Sequence, residues 1–204
     1  MMTQQVETTK PSVKILITDN EKFVSQTRSV YNLYSDSILI FPKIKYSIMD
    51  ANGSPLYKFQ YSNFGKSGFL KDMNDNIVIN FKLKTRFNYG EITIYHNNGE
   101  QTVVSMAQRN SFKKPKYDVS FYNRATGRSE MLDAQVISSN GSMSIYRGKQ
   151  SSGGQLICTV HKFGFLKSTD SRIEIEPGVD KIAMLLISIL GIRVVQNRTV
   201  ALAA

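Results

Sequence analysis

Cysteine, proline and histidine are scarce in this chain of 204 residues: one Cys, five Pro and two His. A single cysteine, Cys158, excludes a disulfide-stapled module and a cysteine-based zinc knuckle. His96 and His161 leave little material for a histidine-rich metal site, and neither a metal nor a cofactor is expected. Few prolines beside 41% hydrophobic residues exclude a disordered or collagen-like chain. The start, Met1 to Lys10, is polar, so a secretory signal is not expected. Acidic residues are the other shortage: 16 Asp and Glu face 26 Lys and Arg, a formal charge of +10. Such an excess speaks about anionic partners and not about fold.

What the chain has in quantity is turns. Asn52-Gly53, Asn74-Asp75-Asn76, Asn98-Gly99, Thr126-Gly127, Asn140-Gly141 and Gly153-Gly154 each separate two β-rich runs. Asn-Gly and Gly-Gly reach the positive φ angles of tight hairpin turns at little steric cost. Each turn joins two strands, which predicts about a dozen short strands in a sandwich or closed barrel. From Ile77 to Arg86 the odd positions Ile77, Ile79, Phe81 and Leu83 are apolar, while Asn80, Lys82, Lys84 and Arg86 are polar. A period of two sends these sets to opposite faces, as in an antiparallel sheet covered on one side.

One segment breaks that pattern. Ile182 to Ile192 carries no charge and follows Pro177, Gly178 and Asp180, with Gly191 and Arg193 supplying a stop. A helix apolar around its whole circumference must be buried on every side. Eleven residues rise only about 16 Å, roughly half a bilayer's hydrocarbon thickness. The expectation is therefore a helix filling a barrel, with Ile182, Leu185, Leu186 and Ile189 in the core.

The runs Ser37-Ile38-Leu39-Ile40-Phe41 and Tyr46 to Gly53, with Glu176 to Leu186 later, resemble the opening strand pair and the entry to the central helix of the LURP-one-related family. That family lies in the tubby C-terminal-like superfamily, to which phospholipid scramblases are also related. The resemblance implies a mainly β fold: a closed antiparallel barrel of about twelve strands around one buried hydrophobic C-terminal α-helix. The expected division is an N-terminal tail over 1–30, the barrel over 31–195 with its central helix over 179–191, and a C-terminal tail over 196–204. Tubby relatives bind phosphoinositides through basic residues on the barrel. Scramblases carry Pro-rich N-termini and cysteine clusters, which this chain does not have.

Catalytic readings find little support. Gly65-Lys66-Ser67 ends like a phosphate loop, but Gln60 stands where the first glycine belongs. Asp72-x-Asn74-x-Asn76 begins like a calcium loop, yet Ile77 and Leu83 occupy its glycine and glutamate positions. There is no G-x-S-x-G elbow, and both histidines fall in predicted strands. Cys158 reads as a buried thiol, and Glu174 with Glu176 as a solvated strand face near the helix entry. No enzymatic activity is expected.

The basic residues remain. Lys82, Lys84 and Arg86 share one strand face; Lys113, Lys114 and Lys116 form a second cluster, followed by Arg124 and Arg128; Lys43 and Lys45 lie near the first hairpin. Outward lysines also serve solubility in any barrel. Clustered, each contributes about 1 kcal/mol close to an anionic membrane, less at higher salt. Lys82, Lys84, Arg86, Lys113, Lys114 and Lys116 are the candidate lipid-binding residues, with an anionic membrane surface or phosphoinositide as partner. Nucleic acid is disfavoured, because Tyr117, Val119 and Phe121 read as interior and no nucleic-acid motif is present. The expected molecule is a monomer in the cytoplasm, peripheral at the membrane, the nucleus being the other compartment considered. The alternatives are a scramblase-like membrane protein and a protein-interaction or regulatory module with no lipid ligand.

Overall fold

Asp50 opens the first hairpin turn by accepting, on one carboxylate oxygen, the backbone N–H groups of Asn52 and Ser54 at 2.8 Å each. Gly53 then takes φ 83°, which L side chains rarely adopt. Asp72 repeats the device on Asn74 and Asn76 at 2.9 Å, and Asp75 takes the left-handed position there with φ 64°. Aspartate tolerates that conformation better than most residues. The calcium-loop look of Asp72 to Asn76 is this turn chemistry.

The computed structural model describes residues 14–35, 43–62, 67–86, 88–109, 114–138, 141–163 and 170–202. Its strands are β1 (Ser29–Ser35), β2 (Lys43–Asp50), β3 (Pro55–Ser62), β4 (Ser67–Asp72), β5 (Ile77–Arg86), β6 (Tyr89–Tyr95), β7 (Gln101–Arg109), β8 (Lys116–Asn123), β9 (Arg128–Val136), β10 (Met143–Arg147), β11 (Gln155–Lys162) and β12 (Ser171–Ile175). Each pairs antiparallel with the next, and β12 pairs with β1, so the sheet closes without an edge. Closure removes the unpaired backbone groups that make sheet edges prone to association. The expected twelve-stranded barrel is the observed one. The run Ser37 to Phe41, half of the sequence likeness for the opening strands, lies outside the described residues, as do Gly65, Lys66 and Lys113.

The helix α1 (Lys181–Leu202) enters from β12 and runs through the barrel. Ile182, Leu185, Leu186 and Ile189 are all buried, as is every residue from Ile182 to Ile192. Asp180 caps it, its Oδ1 accepting the N–H of Ala183 at 3.0 Å. Oδ2 of the same carboxylate accepts from the Thr18 hydroxyl at 2.6 Å and from the N–H groups of Thr18 and Ile17. Burial pushes the Asp180 carboxyl upward against these hydrogen bonds. Ile15, Leu16, Ile17 and Val24 are buried beside this helix start, so the segment before β1 closes that mouth of the barrel.

The structure corrects three details. The helix does not stop at Gly191 and Arg193 but continues to Leu202. Gly191 is there for close packing: a Cβ would stand 2.4 Å from the methyl of Met143. Arg193 lies over the ring of Tyr61, its guanidinium carbon 5.6 Å from the centroid. His96 lies one residue past β6, buried in the turn with its Nε2 at 2.8 Å from the Thr102 hydroxyl; only His161 sits in a strand. Ile77 stays 55% exposed, because the ladder shifts register between Leu70 and Lys71 just where β5 begins. Among the described residues no helix is long and apolar enough to cross a membrane.

Candidate functional site

In β5 the alternation holds from Ile79 onward: Ile79, Phe81 and Leu83 are buried, and Asn80, Lys82, Lys84 and Arg86 are exposed. Register extends this outward face across three more strands. Lys82 pairs with Ser67, Asn80 with Phe69, Phe69 with Gln60, Gln60 with Lys45, and Lys71 with Lys58. Paired residues on adjacent strands point the same way, so Lys45, Lys58, Lys71, Lys82, Lys84 and Arg86 occupy one side of the barrel over β2 to β5. None of the residues alternating outward with them on these strands is acidic.

The nearest carboxylates lie at its margins. Asp75, in the β4–β5 turn, stands 3.4 Å from Lys58 Nζ and 3.9 Å from Lys71 Nζ. Glu91 on β6 pairs in register with Lys84 and accepts a hydrogen bond from the Tyr89 hydroxyl at 2.5 Å. Among the described residues, Lys45, Lys82, Lys84 and Arg86 have no carboxylate within 4.0 Å. Lys82 instead rests its ammonium 5.5 Å from the ring centroid of Tyr95. Lys71 likewise lies 5.1 Å from the ring centroid of Phe69, so the face holds several solvent-exposed cations with aromatic rings among them.

The second expected cluster is elsewhere. Lys116 begins β8, three strands from β5, or about 14 Å around the sheet. It pairs with Arg109, whose guanidinium is engaged by Asp118 at 2.9 Å and by the buried Asp133. Lys114 donates to the Ile137 carbonyl at 2.8 Å. Lys82, Lys84 and Arg86 therefore share a face with each other and with β2 to β4, while Lys116 stands beside Arg109 and its two carboxylates and Lys114 is held at the Ile137 carbonyl. Lys58 and Lys71 were not among the expected residues. Their signal was present as the alternation Tyr57-Lys58-Phe59 and Leu70-Lys71, but it needs the strand register to join it to β5.

The remaining chemistry-bearing residues are occupied structurally. Cys158 is fully enclosed, its sulfur 3.7 Å from the Ser188 hydroxyl, and burial raises its thiol pKa to about 12. Glu174 is held by Arg28 and Arg172, and Glu176 lies 3.4 Å from Arg28. Burial opposes ionisation of Glu174, but those guanidinium groups prevail and keep its carboxyl below the usual range.

Residues 32–190 match the sequence model of a family described as LURP-one-related. No curated protein sequence matches the chain. Among solved structures, the chain is similar to the X-ray structure of an Arabidopsis thaliana protein. The two share 14% identity at a TM-score of 0.56, over 85% of this chain and 96% of that one. At that identity the likeness concerns the fold alone.

Proposed function

The chain belongs to the LURP-one-related family, and from that premise we propose that it is a non-enzymatic barrel that binds anionic membrane lipid, phosphoinositide included, through the face over β2 to β5. The observation that carries this reading is the acid-free surface bearing Lys45, Lys58, Lys71, Lys82, Lys84 and Arg86. Several cations on one side reinforce each other at a charged surface in a way that dispersed cations do not. A multiply charged headgroup suits such a face, because lysines act as mobile point charges that gather around phosphate. Lys113, Lys114 and Lys116 were expected to share the task. The weight of the proposal rests on β5 and its neighbours, since Lys116 adjoins the Arg109 network. Peripheral attachment from the cytoplasm follows from this reading.

Pelleting with vesicles tests it. The protein is expected to pellet with phosphatidylcholine vesicles containing phosphatidylserine or phosphoinositide, and not with phosphatidylcholine alone. Binding should weaken between 0.05 and 0.3 M salt, about the range over which screening tightens. Equal pelleting on neutral and anionic vesicles, or none at physiological salt, would sink the proposal.

A further inference from the structure

Beside the cationic face lies a surface of the opposite character. On β7, β8 and β9 the outward positions Val103, Ser105, Ser120, Tyr122, Ser129 and Met131 are neighbours without charge. Val103 is 49% exposed, Tyr122 46% and Met131 47%. They adjoin one another. Ser105 faces Ser120, and Val103 and Tyr122 are the next outward residues beyond that pair on β7 and β8. Met131 pairs with Ser120, diagonal to Tyr122. Acids border it: Glu91 stands opposite Ser105 on β6, Asp118 and Asp133 follow Ser120 and Met131 along β8 and β9, and Glu100 pairs with Arg124 at the other end.

The strip is continuous with the β5 cations. Lys82 pairs with Thr93, and Thr93 with Val103, which puts the ammonium-bearing strand about 10 Å from Val103. We infer that Val103, Tyr122 and Met131 form a membrane-insertion surface that acts together with Lys82, Lys84 and Arg86. This rests on the lipid-binding reading and adds the orientation of the barrel and the depth to which it enters. Twelve strands share the circumference, so neighbouring strands face about 30° apart and β5 stands about 60° from β7. With Val103 and Tyr122 pointing into the bilayer, the β5 cations sit to one side and nearer the water. The long lysine and arginine side chains then reach the headgroup phosphates while the apolar groups enter the acyl boundary. Tyrosine suits that boundary because its ring is apolar and its hydroxyl stays wet. An acid opposes both the desolvation and the anionic surface, so the inserted part is the row of Thr93, Val103, Tyr122 and Ser129 with Met131, and Glu91 and Asp118 mark its border on the Ser105 side.

The absence of tryptophan from the chain makes the test direct. A Tyr122→Trp variant supplies one fluorophore in the strip, and Tyr34→Trp supplies one on β1, on the far side of the barrel, where Tyr34 is 42% exposed. Vesicles of phosphatidylcholine with phosphatidylserine, with and without brominated acyl chains, are the probe. Emission of Tyr122→Trp is expected to shift to the blue and be quenched by bromine, and that of Tyr34→Trp to do neither. Serine at all three of 103, 122 and 131 should weaken vesicle binding about tenfold while its salt dependence persists. If wild type pellets with the vesicles but Tyr122→Trp neither shifts nor is quenched, insertion is wrong and electrostatic docking alone stands. If Tyr122→Trp shifts without vesicles as protein concentration rises, a second copy covers the strip and insertion is again wrong. Failure of wild type to pellet at all removes the lipid-binding reading, and this inference with it.

Discussion

Glu130 shows at the scale of one residue how the barrel mouth is held shut. Its carboxylate accepts from the Thr126 hydroxyl at 2.7 Å and the Asn123 amide at 3.0 Å, and lies 3.1 Å from Arg147. Asn123 in turn accepts from Leu16 N–H and donates to the Lys14 carbonyl, which ties the segment before β1 to the β8–β9 hairpin. Burial disfavours the charged form of Glu130, but the hydrogen bonds and the two nearby guanidinium groups outweigh it and hold the carboxyl below its ordinary range. A depressed folded value gives stability that is present above the unfolded carboxylate pKa of about 4.3 and lost as pH falls through the folded value. Glu130→Gln should cost about 1.5 kcal/mol at neutral pH, and the difference from wild type should shrink as pH falls below the unfolded carboxylate range and through the folded value. Denaturant melts of both proteins across that range check it; a constant difference would mean that the charge is not what matters. Cys158 gives a simpler outcome. With its thiol pushed to about 12 by burial, it should resist thiol reagents at pH 8 in the native state and react once in denaturant. Fast native-state labelling would contradict the enclosed position.

Among the elements, the central helix shows what alternation and apolar composition can convey and what they cannot. An uncharged stretch from Ile182 to Ile192 was enough to predict a helix enclosed on all sides, and Pro177 and Asp180 were enough to place its entry. Its end is not legible in the same way, because Gly191 and Arg193 look like stop signals in sequence. In the barrel the glycine admits Met143 and the arginine finds Tyr61, contacts that exist only after strands far away in sequence close around the helix. Gly90 works in the same way from the strand side. A Cβ there would lie 2.5 Å from Leu190 Cδ1 and 2.8 Å from Val194 Cγ2, so β6 meets the helix closely at this point. Gly90→Val should destabilise the domain by about 2 to 3 kcal/mol, as overpacking of a filled core does. A denaturant midpoint close to that of wild type would show that the helix can withdraw from β6.

At the scale of the whole molecule, the turn dipeptides made the meander legible, and alternation made Lys82, Lys84 and Arg86 outward-facing. Neither reveals how cations on separate strands are grouped, because grouping depends on register and on how many strands stand between. Register added Lys58 and Lys71 to the β5 residues and set Lys114 and Lys116 apart, next to Arg109, Asp118 and Asp133. The net charge of +10 thereby becomes an uneven distribution, with one acid-free side and other sides where cations are paired. The central claim is that this side recruits the protein to anionic membrane.

Its most direct test is vesicle co-sedimentation at 0.15 M salt, about the physiological value, comparing wild type with two sets of alanine substitutions. One set replaces Lys82, Lys84 and Arg86, and the other replaces Lys114 and Lys116. At about 1 kcal/mol per cation, the first should weaken binding to phosphatidylserine vesicles by about a hundredfold, and the second by less than about threefold. Undiminished binding of the β5 variant, or an equal loss in both, would contradict the account.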